Sequence, residues 1–260
     1  MGKVIAIANS KGGVGKTTTT INLGAAFVKY NKKVLIIDLD EKANSTIGLG
    51  IDREFVSCCS FDALLKHCGI TECICPTTTD NLYIIPSKLL DFSVEEELYK
   101  IEKNKIVLSL LLDEIRESYD YILIDCPPQF GIINENALYA SDSIIIPCDC
   151  EYYSFEALTQ MINKINQVQK QKKKKRLNLL IEGILLTKLD NRNLFGYKMV
   201  DKIKAMFPLK TFKTIITVSS HLKQAPMAGK NILEYAYHSR GSKEYRELAK
   251  EILSKVESQN

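Results

Sequence analysis

The run Ser10-Lys11-Gly12-Gly13-Val14-Gly15-Lys16-Thr17-Thr18 gathers glycines, two lysines and three hydroxyls into one short loop. Glycine lets the backbone wrap closely enough for its N–H groups to converge on phosphate oxygens. A following helix adds the positive end of its dipole. In such a cradle Lys16 is expected at the β- and γ-phosphates, and the Thr17 hydroxyl is expected on Mg²⁺. A strict G-x-x-x-x-G-K-[ST] pattern fails, because Ser10 stands at the first glycine position. Lys11 is an extra cation on a tight loop. Two ammonium groups so close repel each other, so the second needs an anion to meet. One loop can aim a single lysine at its own γ-phosphate; a second can face a neighbour's nucleotide.

Two other stretches supply acids. Ile36-Ile37-Asp38-Leu39-Asp40 ends an apolar run in two carboxylates, and Tyr121-Ile122-Leu123-Ile124-Asp125 ends another in one. At the carboxyl ends of buried strands beside a phosphate loop, such groups can reach Mg²⁺ or an attacking water. The second stretch has the Walker B pattern, with Asp125 expected to hold Mg²⁺ through water.

The elements that must carry these residues alternate short β-branched runs with longer amphipathic ones, the pattern of βαβ units. Strands are expected at Val4–Ala8, Val34–Asp38, Leu82–Pro86, Tyr121–Asp125, Ser143–Pro147 and Ile181–Thr187, with a further one at Thr214–Val218. Helices are expected at Thr17–Tyr30, Lys103–Ser118, Ser154–Gln169 and Ser242–Val256. Unbroken hydrophobicity, as in Val34-Leu35-Ile36-Ile37, calls for burial on both faces. The expected fold is α/β: a doubly wound, mostly parallel sheet with helices on both faces. With no Gly/Pro/Ser-rich linker and no internal repeat, residues 1–260 are read as one domain, fraying at 257–260.

The 260 residues are 45% hydrophobic and 25% charged with net charge +4, an ordinary globular composition that excludes a disordered tail or a fibrous repeat. Apolar runs fall far short of the ~18 residues of a membrane span. The N-terminus lacks a secretory signal, so a cytosolic chain with reduced thiols is expected. Cys58, Cys59, Cys68, Cys73 and Cys75 crowd together, but their spacing matches no common zinc framework and reads as free thiols. Charge is polarised: residues 164–230 hold sixteen Lys and Arg against three acids, an excess of +13 that leaves −9 elsewhere. A face with that excess attracts phosphate polymers.

With Lys11 and Lys16 flanking the glycines, the loop resembles the signature K-G-G-x-G-K-[ST] of the deviant Walker A ATPases, the ParA/MinD group. The resemblance runs from Lys3 to about Leu253 and is nearest the ParA/Soj branch. It is carried by Thr17-Thr18-Thr19-Thr20-Ile21-Asn22-Leu23-Gly24, Asn44-Ser45-Thr46, Asn136-Ala137-Leu138, Cys150-Glu151-Tyr152-Tyr153 and Ser239-Arg240-Gly241. It implies ATP and Mg²⁺ as ligands, bound by Lys11, Gly12, Gly13, Val14, Gly15, Lys16, Thr17 and Thr18, with Thr17 and Asp125 serving the metal. It implies catalytic roles for Lys11, Lys16 and Asp40: Lys11 crosses to the partner's phosphates in an ATP-bound homodimer, and Asp40 positions the attacking water. It further implies non-specific duplex DNA binding and a ParB-type partner that stimulates hydrolysis. Thr187-Lys188-Leu189-Asp190 resembles a guanine reader, but relatives with an aspartate there use ATP.

The chain departs from the family in three places. Relatives read Pro-Gln-Gly after the second aspartate, where this chain has Glu41-Lys42-Ala43. The arginine pair that relatives place on DNA is absent from Thr217-Val218-Ser219-Ser220-His221-Leu222. DNA contact is therefore expected from Arg192, Lys223, Lys230 and the basic region, with Lys172-Lys173-Lys174-Lys175-Arg176 as a candidate arm. The polar, acidic end, Glu251 to Asn260, does not suit the amphipathic membrane helix of MinD relatives. A MinD-like positioning ATPase acting on a protein or membrane cargo, without DNA, is the alternative.

Overall fold

The computed structural model describes residues 1–89, 97–98, 104–174 and 177–257. One sheet holds β1 (Lys3–Ile7), β2 (Val34–Asp38), β3 (Cys75–Pro76), β4 (Leu82–Ile85), β5 (Tyr121–Asp125), β6 (Ser143–Asp149) and β7 (Leu180–Thr187). Their order is β3-β4-β2-β5-β1-β6-β7, parallel throughout except that β3 runs antiparallel to β4. The helices are α1 (Lys16–Lys29), α2 (Asn44–Gly48), α3 (Ser60–Leu64), α4 (Val107–Asp113), α5 (Ile132–Ala140), α6 (Tyr152–Lys174), α7 (Leu194–Met206), α8 (Ser220–Gln224), α9 (Ile232–Tyr235) and α10 (Arg240–Glu257).

Alternation along each strand sends side chains to two separate cores. Val4, Ala6, Leu35, Ile37, Ile122 and Ile124 join residues of α4, α5, α6 and α7 on one face. Ile5, Ile7, Val34, Ile36 and Leu123 join residues of α1, α9 and α10 on the other. Both faces of the central strands are thus covered, as their unbroken hydrophobicity requires. The sheet is doubly wound.

Strand order also gathers the site. β1 lies between β5 and β6, and β2 lies on the far side of β5, so the segments leaving β1, β2, β5 and β6 emerge side by side at one edge. Register aligns Ile7 with Asp125, and Asp38 with Asp125.

Four expectations need correction. Thr214–Val218 is no strand beyond a single bridge between Leu189 and Thr217. Ile216 N and Val218 N donate to Leu186 O (2.9 Å) and Leu189 O (3.0 Å), while Thr214 and Thr217 turn to side chains of α10: Glu251 Oε2 accepts from Thr214 N (3.0 Å) and Oγ1 (2.9 Å), and Glu244 accepts from Thr217 N (2.9 Å) and Oγ1 (2.7 Å).

The second correction concerns the basic run. The buried residues of α6 are Ser154, Leu158, Met161, Ile165, Val168 and Lys172, spaced by three and four along one stripe. Lys172 is therefore turned inward, where its Nζ donates to the carbonyls of Leu138 (3.3 Å), Tyr139 (2.9 Å) and Ser141 (2.5 Å). It caps the end of α5 and is withdrawn from any arm. Lys173 and Lys174 are exposed, while Lys175 and Arg176 lie outside the described residues.

The third concerns the cysteines. Cys59 and Cys75 are free, but Cys58 lies against both Cys68 and Cys73. The expected helix at Lys103–Ser118 is shorter, α4 followed by a 3₁₀ turn at Arg116–Ser118; Lys103 lies outside the described residues.

Candidate functional site

The loop after β1 turns on two glycines in the left-handed region, Gly13 at φ 75° and Gly15 at φ 94°, where a Cβ would be strained. Its base is tied to neighbouring strand ends. Asn9 Nδ2 donates to Pro147 O (2.7 Å), Asn9 Oδ1 accepts from Lys11 N (3.0 Å), and Thr187 Oγ1 donates to Val14 O (2.8 Å). Lys16 opens α1, is buried, and donates from Nζ to Lys11 O at 3.2 Å. Burial pulls its pKa down, partly offset by the charges of Asp125 and Asp40. A lysine desolvated inside a loop of inward amides is poised to take up a phosphate.

The acids meet beside it. Asp125, fully buried, accepts from Ser45 Oγ at 2.7 Å, its charged form is favoured by the Thr17 hydroxyl, and its Oδ1 has no hydrogen-bond partner. Asp38 accepts from Thr46 N (2.9 Å), Thr46 Oγ1 (2.8 Å) and Asp40 N (3.1 Å). Asp40 is buried and accepts from Lys42 N at 3.0 Å. Burial pushes the Asp38 and Asp125 carboxyls upward; the charge of Asp125 adds to the rise on Asp38, and that of Asp40 to the rise on Asp125. Crowded, desolvated carboxylates with an orphan oxygen beside a threonine hydroxyl suit a hydrated, hard divalent cation. The donor set fits Mg²⁺.

Lys11 does not share the space of Lys16. Its Nζ lies 3.0 and 2.9 Å from Asp149 Oδ1 and Oδ2, 2.8 Å from Glu151 Oε2 and 2.8 Å from Ser154 Oγ. Burial lowers its pKa, but the hydrogen bonds and charges of Glu151 and Asp149 outweigh this and hold it above the usual lysine value. Ser154 Oγ also donates to Asp149, closing the group.

The sequence alone assigns no role to Asp149, Glu151, Ser45 or Thr46, although Ser45, Thr46 and Glu151 lie in stretches that carry the resemblance. Asp149 ends the apolar run Ile144-Ile145-Ile146-Pro147-Cys148, the same strand-terminal acid that marks Asp38 and Asp125, so its signal was present. The Glu41-Lys42-Ala43 departure sits in a tight turn in which Ala43 N donates to Asp40 O at 2.9 Å. There Ala43 adopts φ 54°, a conformation costly for any residue with a Cβ.

The expected DNA contacts are not gathered into this pocket. Arg192 is exposed and forks onto Asp190 (3.1 and 3.0 Å). Lys223 on α8 and Lys230 beyond it are also exposed. The segments bearing Arg192 and Lys223 leave the Leu189–Thr217 bridge together.

Comparison with known proteins gives the family. The chain matches the AAA domain family over residues 2–179. It is 43% identical over 252 residues to the sporulation initiation inhibitor protein Soj of Bacillus subtilis, covering 97% of this chain and 98% of that one. It is 36% identical to the chromosome partitioning protein ParA of Myxococcus xanthus, covering 98% and 89%. Among solved structures, cobyrinic acid a,c-diamide synthase of Mycobacterium smegmatis with bound ADP and magnesium superposes with a TM-score of 0.82 at 26% identity, covering 100% of this chain and 97% of that one. The glycine loop with its buried Lys16, the buried acids beside it and whole-length likeness to Soj and ParA carry one conclusion: the chain belongs to the AAA domain family, within its ParA/Soj group of magnesium-dependent P-loop ATPases.

Proposed function

We propose that the protein is a cytoplasmic partition ATPase, a slow switch that dimerises on ATP, binds duplex DNA without sequence preference and is turned over by a ParB-type partner. Residues 1–260 act as one unit. The loop amides from Gly12 to Thr18 and the Lys16 ammonium bind the phosphates, and Thr17, with Asp125 through water, holds Mg²⁺. The ion supplies charge neutralisation at the β- and γ-phosphate oxygens. Asp40 orients the attacking water. Lys11 leaves Asp149 and Glu151 to meet the triphosphate of a second copy, whose own Lys11 does the same in return. Stabilising charge on the departing phosphoryl group is the dominant catalytic term.

The observation that carries this reading is the separation of the two lysines: Lys16 inside the loop, Lys11 on the β6 rim. Likeness to Soj and ParA over nearly the whole chain favours a partition role over the metabolic activity named for the more distant structural neighbour.

Arg192, Lys223 and Lys230 are assigned to DNA. Retention on random-sequence duplex, compared between a non-cleavable ATP analogue and ADP, tests this. The expected Kd is ~10⁻⁴–10⁻⁶ M, weakening steeply with salt. Retention indifferent to nucleotide, and unaltered when all three residues are alanine, would instead favour a positioning ATPase acting on a protein or membrane cargo. Val218 and His221, in place of the relatives' arginine pair, are the observation on that side. Among the described residues no helix is long and apolar enough to cross a membrane.

A further inference from the structure

Three sulfurs outside the nucleotide site converge on one point. Cys58 precedes α3, Cys68 lies in the loop after it, and Cys73 ends the 3₁₀ turn Ile70–Cys73. Their Sγ atoms all lie within 4.8 Å of one another. Cys68 and Cys73 are 3.3 Å apart, and Cys58 is in contact with both. A sulfur can form one disulfide, so no covalent pairing accounts for all three. A single ion bonded to all three can hold them together, with thiolate sulfurs about 3.8 Å apart for Zn–S near 2.3 Å and tetrahedral angles, once Cys58 draws back from its contacts with the other two.

We infer that Cys58, Cys68 and Cys73 form a three-thiolate site for a soft divalent cation, Zn²⁺, with a fourth position open to water. The two neighbouring cysteines are not part of it. Cys59 points into the core with Phe61 and Leu64, and Cys75 lies on β3. Cys58 and Cys68 are half-buried and Cys73 is buried, so the cluster opens to solvent on one side. Binding displaces three thiol protons and leaves a site of net charge −1, so affinity falls as pH falls.

The position gives the ion a mechanical consequence. Cys58 lies two residues from Ser60, whose N donates to Pro86 O (2.8 Å) and whose Oγ donates to Asp38 O (2.5 Å). An ion at the three sulfurs closes the 58–73 loop around α3 and fixes the segment that holds the end of β2.

The test uses the full chain, reduced and stripped with chelator, then titrated with Co²⁺ and with Zn²⁺. The expected result is one equivalent per chain, a thiolate-to-cobalt charge-transfer band, and Zn²⁺ protection of Cys58, Cys68 and Cys73, but not Cys75, from alkylation. Cys58→Ser, Cys68→Ser and Cys73→Ser each weaken Zn²⁺ binding by more than ~10-fold, a loss at least equal to that from removing an outer-shell partner. Cys75→Ser leaves it unchanged. The wild-type cobalt spectrum stands even if a serine variant fails to fold. No stoichiometric metal in the reduced chain would overturn the site. So would metal binding that leaves these three thiols unprotected. A mapped Cys58–Cys68 or Cys58–Cys73 disulfide in a chain that, once reduced, takes no metal would assign the cluster to thiol redox chemistry instead.

Discussion

The ammonium of Lys11 lies 2.9 Å from a carboxylate oxygen of Asp149 on its own chain, although the two residues are separated by 138 positions in sequence. Because β6 is the neighbour of β1, the acid ending β6 stands next to the loop leaving β1. Before Lys11 can serve another chain's nucleotide it must leave this partner. On the proposed role of Lys11, the ion pair therefore opposes dimerisation.

Replacing Asp149 by Asn weakens that hold and strengthens ATP-dependent dimerisation by about tenfold, or ~1.4 kcal/mol. Glu151→Gln has a smaller effect, under ~1 kcal/mol, because Glu151 is 70% exposed and its pair is screened by solvent. Sedimentation at graded protein concentrations with a non-cleavable analogue measures both. Equal dimer affinity in wild type and Asp149→Asn would show that the pair places no restraint on Lys11.

On the proposed role of Asp125, a cation offsets the cost of burying its charge. Its folded pKa is raised by burial. A carboxyl raised on folding contributes stability that is complete below its unfolded pKa, ~4, and is lost as pH rises through the folded value. Without nucleotide, Asp125→Asn is therefore expected to raise Tm at pH 7 by a few degrees, about 1 kcal/mol, and to flatten the decline above pH ~4. With ATP and Mg²⁺ the order reverses. Thermal melts with and without ligand provide the check.

Ala43 at φ 54° stores strain in the turn beside Asp40. Ala43→Gly should stabilise the nucleotide-free protein by ~1 kcal/mol, since the left-handed conformation costs glycine nothing. A loss of stability in chemical denaturation would mean that the methyl's packing outweighs the strain.

Lys172→Met leaves three buried carbonyls at the end of α5 without a donor and should cost about 2–3 kcal/mol. Lys173→Ala and Lys174→Ala, on the exposed side of α6, should change stability by less than ~0.5 kcal/mol. Urea titration separates the buried lysine from its neighbours. Similar effects from all three would return Lys172 to the surface.

The local chemistry of the site was legible because each piece sits in a short segment: the glycine loop, Asp38-Leu39-Asp40 and Asp125. Six of the seven expected strands were found within two residues at each end, since apolar runs covered on both faces have few alternatives. What failed depended on distant partners. Thr214–Val218 has strand-like residues, and Ile216 and Val218 do bond to the Leu186 and Leu189 backbone, but Thr214 and Thr217 donate to Glu251 and Glu244 on a helix that comes later in the chain. Lys172 looked solvated because charge was read before register; the stripe from Ser154 through Val168 already pointed it inward. The meeting of Cys58 with Cys68 and Cys73 follows from how α3 folds back, which spacing alone does not state.

The central claim is that Lys11 completes the site of a second chain. Light scattering of wild type and Lys11→Ala, each saturated with Mg²⁺ and a non-cleavable ATP analogue, tests it most directly. The account predicts the mass of two chains for wild type and of one for Lys11→Ala, with analogue still bound by both. A wild type that remains a single chain, or a Lys11→Ala that pairs as well as wild type, would contradict it.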